Sequence, residues 1–144
     1  MIIDDLQLTG ALQISLNNEI VHQCDNLVVT AGKNWVAGRF KDGSIPDEMS
    51  HMAIGSADTA AAAGNTALAT ELNRIALTTD GGTVSNNTVQ YDASWTSAAA
   101  AYAIKEAGIF NAATGGTMLA RTTFAVINKG TDDTVSISWT ITVS

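Results

Sequence analysis

Cysteine and histidine are the residues best able to act as nucleophile and base, and this chain places one of each two positions apart. His22 and Cys24 flank Gln23, so on an extended strand both side chains point to the same face. A Cys–His pair could generate a thiolate nucleophile. The plainer reading is a small buried thiol beside a partly exposed imidazole. His51 stands alone ahead of Met52-Ala53-Ile54 and reads as a packing or interface residue. No serine occupies a Gly-x-Ser-x-Gly elbow. Asp132-Asp133 falls in a turn after Gly130, where carboxylates usually bond their own backbone. A single cysteine precludes an internal disulfide, and no EF-hand, His/Cys zinc set or phosphate-cradling glycine loop is present. The sequence thus offers no catalytic, cofactor-binding or metal-ligating set, and a non-enzymatic role is expected.

One acid stands apart. Glu106 lies in a run of small and apolar residues from Tyr102 to Phe110, read with Ile104 and Phe110 inward, where strict alternation puts it on the face of Ile104 and Gly108. A buried Glu106 needs a cation, and Arg121 on the next strand is the natural partner. A bulge at Gly108 would instead leave the acid exposed. Both readings stand at the level of sequence.

The elements that must position these residues are mostly strands. Val135, Ile137, Trp139, Ile141 and Val143 alternate with Ser136, Ser138, Thr140 and Thr142, the signature of a half-buried strand. Val89 to Trp95, Leu12 to Leu16, Met118 to Ile127 and Tyr102 to Phe110 read likewise, and Ile20 to Thr30, Met52 to Gly55 and Arg74 to Thr79 fit shorter strands. Asn17-Asn18, Asp80-Gly81-Gly82, Asn86-Asn87 and Thr114-Gly115-Gly116 separate them, with Asn86-Asn87 a candidate type I′ hairpin. Ala31 to Phe40 reads as a short helix capped by Thr30, and Thr66 to Asn73 as one or two further helical turns, with Leu68 and Leu72 four apart. The expected fold is mainly β: an antiparallel β-sandwich or jelly roll of about eight strands with one or two short helices. Residues 1–9 are expected to form an N-terminal arm and 10–144 a single domain, with Trp95, Trp139 and Tyr91 in its core.

Composition narrows the partners. The chain has 144 residues, 46% of them apolar and only 15% charged, below the usual quarter. A net charge of −7 and seven scattered cations argue against nucleic acid, and no apolar run is long enough to span a membrane as a helix. Met1 to Asp5 is acidic and lacks the basic region of a signal peptide, so the chain is expected to stay in the cytoplasm in which it is made or to leave it by a route other than secretion.

Several stretches in order carry a resemblance: Asn26 to Asn34, His51-Met52-Ala53-Ile54-Gly55, Gly64-Asn65-Thr66-Ala67-Leu68, Glu71-Leu72, Glu106-Ala107-Gly108-Ile109-Phe110-Asn111, Gly116-Thr117-Met118-Leu119-Ala120-Arg121-Thr122 and Val126-Ile127-Asn128-Lys129-Gly130. The set resembles small structural proteins of tailed-bacteriophage virions. That resemblance implies a virion component assembled in the host bacterial cytoplasm. It implies a capsid decoration (cement) protein first, and a tail-fibre, tail-tip or receptor-binding module as the alternative. The implied partners are the major capsid protein and copies of the chain itself, as a dimer or trimer.

A contact with an assembled shell is expected in the least regular segments. In the arm, Ile2, Ile3, Leu6 and Leu8 have no evident core strand, because Asp4 and Asp5 interrupt their alternation. In the loop from Lys41 to Ser50, Ile45, Pro46 and Met49 are the apolar candidates. Apolar residues without a home in the monomer commonly find one in a partner; the competing reading makes the arm an edge strand of the same sandwich.

Overall fold

The computed structural model describes residues 5–41 and 46–144. In chain order these residues form β1 (Leu8–Leu16), β2 (Glu19–Val28), α1 (Thr30–Gly38), β3 (His51–Gly55), β4 (Glu71–Ala76), β5 (Thr83–Ser85), β6 (Thr88–Trp95), β7 (Tyr102–Phe110), β8 (Met118–Lys129) and β9 (Val135–Val143). The nine strands are antiparallel and make one curled sheet in the order β4-β3-β7-β8-β2-β1-β9-β6-β5. β2 forms the corner: residues 19–26 pair with β1, whereas Leu27 and Val28 pair with β8. The sheet therefore folds onto itself as a β-sandwich, and the far strands meet where Trp95 Nε1 donates to Asn73 Oδ1 at 2.9 Å.

The core follows from period-two alternation. Val135, Ile137, Trp139 and Ile141 of β9 are buried, and the serines and threonines between them are half-exposed. Trp139 is opposite Leu12 on one side and Tyr91 on the other, and all three join one apolar cluster with Met52, Ile109 and Leu119 from the facing layer. The Trp139 indole N–H donates to Asn26 Oδ1 at 2.8 Å, so the ring's one polar atom is satisfied inside the core.

Burial of Tyr91 also makes a testable statement about pH. Burial pushes its phenol up to about 12, opposed by nearby Arg39 and assisted by Glu48. The folded state thus holds this proton more tightly than the unfolded chain, so stability falls as pH rises from about 10 to about 12. The two-unit gap corresponds to roughly 2–3 kcal/mol. Tyr91→Phe is expected to leave neutral stability nearly unchanged and to flatten the alkaline limb of a urea-midpoint profile; an unaltered limb would contradict the assignment.

Local structure departs from the sequence expectation in several places. No helix forms over Thr66 to Asn73; Glu71–Ala76 is strand β4. Leu68 is buried in a second apolar cluster while Leu72 is exposed, so the two leucines do not share a face. The Ala69 and Thr70 amides are drawn to a carboxylate rather than to a helical ladder. Helix α1 has Val29, not Thr30, at its N-cap, with no side-chain cap, and Phe40 lies past its end and is 80% exposed. Both residues with left-handed φ in one two-residue turn are Asn17 (52°) and Asn18 (67°), as type I′ demands; at Asn86-Asn87 only Asn86 (52°) is left-handed.

Glu106 is buried, and the route differs from simple alternation. The β7–β8 register slips between Ile104 and Glu106, not at Gly108. The slip leaves Ile104, Ala107 and Ile109 in the main core, while Glu106 faces the opposite side of the sheet, towards Gly55 and the segment 56–70. Phe110, expected on the face of Ile104, lies in the second cluster with Val29, Ala53, Leu68 and Met118. Gly108 is a close approach: a Cβ there would stand 3.0 Å from Leu68 Cδ2.

The carboxylate of Glu106 is fully covered and saturated. It accepts Arg121 Nη2 at 2.8 Å and Nε at 3.0 Å, Thr70 N at 2.7 Å, Ala69 N at 3.0 Å and Ala57 N at 3.4 Å. Arg121 spends its remaining donors on Asn65 Oδ1 (3.0 Å) and the Thr59 carbonyl (2.9 Å). One ion pair thus pins both ends and the middle of the 56–70 segment to the outer face of β7 and β8. Every charge-bearing atom has a partner, which is the condition under which a buried pair is tolerated.

Candidate functional site

The helix α1 is seated by backbone contact. Gly32 packs directly on the Leu119 carbonyl, where any Cβ would overlap it, and Val29 N donates to the same oxygen at 3.2 Å. This close seating, possible only for glycine, turns Lys33 and Val36 towards the beginning of β1 and the end of β9. There they line a groove with Leu6, Gln7, Leu8, Phe40 and Val143. The groove holds about 450 Å³ and its walls are mainly apolar. That volume lies in the range of pockets that take a small ligand or a few side chains.

Two regions expected to contact a partner converge on this helix from opposite directions. The arm contributes Leu6, which is 68% exposed, and Leu8. The loop contributes Pro46, packed beside Gly38. Arg39 Nη1 donates to the Pro46 carbonyl (2.6 Å), Trp35 Nε1 donates to the Asp47 carbonyl (2.7 Å), and the Arg39 guanidinium lies over the Trp35 ring at 5.7 Å. Chain segments some forty residues apart thus share one end of the sandwich. Sequence reasoning missed Val36 and Phe40, because their spacing with Ala31 and Trp35 reads as a core face.

Two sequence expectations are corrected in detail. Met49 is fully buried in the main core, so it cannot reach a partner; the chain dives inward there to start β3. Leu8 does have a strand to join: it opens β1, pairs with Val143, and sits between β2 and β9 rather than in a free arm or at an edge. The preceding Gln7 already exchanges both backbone bonds with Ser144, at 2.8 and 2.9 Å. Ile2, Ile3 and Ile45 lie outside the described residues.

Charge at the groove is mixed: the Asp5 carboxylate accepts from Gln7, one of the lining residues, at 3.2 Å. Lys33 also lines the groove, and Arg39 and Lys41 flank Phe40, so three of the seven cations fall within nine residues of an otherwise acidic chain. The outer face of β2, β1, β9 and β6 offers a different surface, a shallow hollow lined by Gln13, Gln23, Asp25, Gln90 and Ser138. Its amides bond sideways, Gln23 to Gln13 and Gln90 to Asp92.

His22 and Cys24 do share a face, as spacing requires, but each meets β8 rather than the other. The His22 ring lies 5.5 Å from that of Phe124, and Cys24 Sγ is 3.8 Å from Thr122 Oγ1. Burial pushes the thiol up, against its contact with Thr122 and with help from Asp25, which favours the unreactive neutral form. Asp133 accepts Asn17 Nδ2 and the Gly130 amide, and these bonds hold its carboxyl below the usual range. Among the described residues no three His, Cys, Asp or Glu side chains converge as a metal site would require. No known family model, curated protein or solved structure matches the chain.

Proposed function

We propose that the chain is a non-enzymatic structural protein of a tailed-bacteriophage virion, a capsid decoration protein that binds the outer head lattice and stabilises the shell. The observation that carries this reading is the apolar end around α1, where Leu6 and Phe40 stand in solvent on a rigid sandwich. Large exposed apolar side chains gathered from separate segments are characteristic of a surface that a partner covers. The sequence resemblance supplies the partner class, the major capsid protein. A clamp needs interface area and rigidity rather than an active site, and modest contacts repeated over a lattice sum to a large stabilisation. Backbone pairing of nine strands and the pinned 56–70 segment provide the rigidity.

The alternative, a tail-fibre or receptor-binding module, draws on the polar hollow of the outer sheet face. That hollow contains no aromatic side chain on which a sugar ring could stack.

The reading is tested by mixing purified protein with heads that lack it and sedimenting the particles. Saturable binding is expected. Burying Phe40 is worth about 1.5–3 kcal/mol, so Phe40→Asp should weaken binding at least about tenfold. Because Phe40 is 80% exposed, the same substitution should leave the melting temperature nearly unchanged. Undiminished binding by Phe40→Asp would remove the α1 end from the interface.

A further inference from the structure

Helix α1 carries the exposed apolar end, yet its own sequence gives it little reason to form. Its nine residues include Gly32 and Gly38 and the β-branched Thr30 and Val36. No acid stands in its first turn, and Val29 supplies no side-chain cap. Isolated helices shorter than about 12 residues are marginal in water, so α1 must be held from outside. We infer that Asn65 positions α1: through the tip of the 56–70 segment it fixes the N-terminal end of the helix, and with it the side chains that meet the partner.

The link is continuous. Ser56 N donates to the Thr70 carbonyl at 3.0 Å, which closes the segment into a compact loop. Within it, Asn65 Oδ1 accepts Ala62 N at 2.8 Å and Arg121 Nη1 at 3.0 Å, while Asn65 N donates to the Ala62 carbonyl at 3.0 Å. These bonds shape a tight turn over residues 62–65 and anchor it to the buried ion pair of Arg121 with Glu106. The Ala63 carbonyl of that turn accepts the Thr30 amide at 2.8 Å. Thr30 opens the helix, so its N–H is one of the donors that no helix satisfies internally. Leu68 adds an apolar tie, buried with Val29 in the cluster against which Ala31 packs.

The other half of the helix is tied separately, by Trp35 to the Asp47 carbonyl and by Arg39 to the Pro46 carbonyl. With both halves held, α1 presents Val36 and Phe40 in one orientation. With the N-terminal tie released, so short a helix frays. The simplest rival assigns the whole seating to β8, where Gly32 rests on the Leu119 carbonyl and Val29 N bonds it. That contact leaves the Thr30 amide to find its own acceptor, and it makes α1 indifferent to Asn65. Asn65 does not line the groove, so any effect it has on binding there is transmitted through the helix.

The effect on binding rests on the proposed role of the α1 end; the hold on the helix does not. Amide hydrogen exchange, read residue by residue on the protein alone, tests that hold. Asn65→Ala should speed exchange at Thr30 and Lys33 at least about tenfold and leave the amides of β9 unchanged. Asn65→Asp keeps an oxygen acceptor for both bonds, so it should exchange as the unaltered chain does. In the sedimentation assay with heads, Asn65→Ala should weaken binding by between about twofold and thirtyfold, and Asn65→Asp should restore it. Equal exchange at Thr30 in Asn65→Ala and the unaltered chain would overturn the inference. So would a rise shared equally by β9, which marks a general loss of stability, or a failure of Asn65→Asp to rescue. Faster exchange with undiminished head binding would overturn the positioning role. If the unaltered chain itself does not bind heads, the virion reading fails, and exchange alone decides whether Asn65 holds the helix.

Discussion

Replacing Glu106 by alanine is expected to destabilise the protein by about 3–5 kcal/mol, because removal of one partner leaves the other charge buried and unpaired. Arg121 is 1% exposed and has no route to water without moving the 56–70 segment. The substitution also orphans the Ala69 and Thr70 amides, which bond the carboxylate at 3.0 and 2.7 Å. Loss should therefore be seen in two measurements: a lower urea midpoint, and faster hydrogen exchange at Ala69 and Thr70 than elsewhere. The double replacement Glu106→Leu with Arg121→Met should cost less than the sum of the single changes, since it leaves no buried charge behind. A Glu106→Ala protein with unchanged midpoint and unchanged exchange at these amides would contradict the role of the pair.

Trp139→Ala carries a comparable expectation. The ring is fully buried between Leu12 and Tyr91, and truncating such a side chain costs about 3–5 kcal/mol through lost transfer energy and the cavity left behind. It also deprives Asn26 Oδ1 of its donor. Trp139→Phe separates the contributions: it retains most of the volume, so the smaller loss that remains reports mainly the indole hydrogen bond. Equal midpoints for Trp139→Ala and the unaltered chain would mean that β9 presents its other face to the core.

Why some of this was legible in the sequence and some was not has physical causes. β9 alternates without interruption because one face meets the core and the other meets solvent over its whole length. β7 and β8 are covered on both faces, by the main core on one side and by α1 and the 56–70 segment on the other, so alternation carries less information there. Their register slips at Ile104/Glu106, and in β8 the buried set shifts from Phe124 to Ile127. The partnership of Glu106 with Arg121 was still readable, because a charge in a covered strand has few solutions; the face it occupies was not. Lys129 shows the same limit: it is 2% exposed and donates to the Gly130 carbonyl at 3.0 Å, a local arrangement that no spacing announces. Thr66 to Asn73 misled because Leu68 and Leu72 have helical spacing, while the deciding acceptor for its amides lies some 36 residues away. The groove was half legible: Leu6, Leu8 and Pro46 are near α1, but only the three-dimensional path shows that Met49 leaves that surface for the core.

The most direct measurement of the central claim is the number of copies per particle, by quantitative mass spectrometry of purified virions from a phage that encodes the chain, with the major capsid protein as internal standard. A decoration protein bound across the head lattice is expected in hundreds of copies, in a fixed ratio to the capsid protein, and head preparations freed of tails should retain them all. A few to a few tens of copies that follow the tails, or none in the particle, would contradict the account.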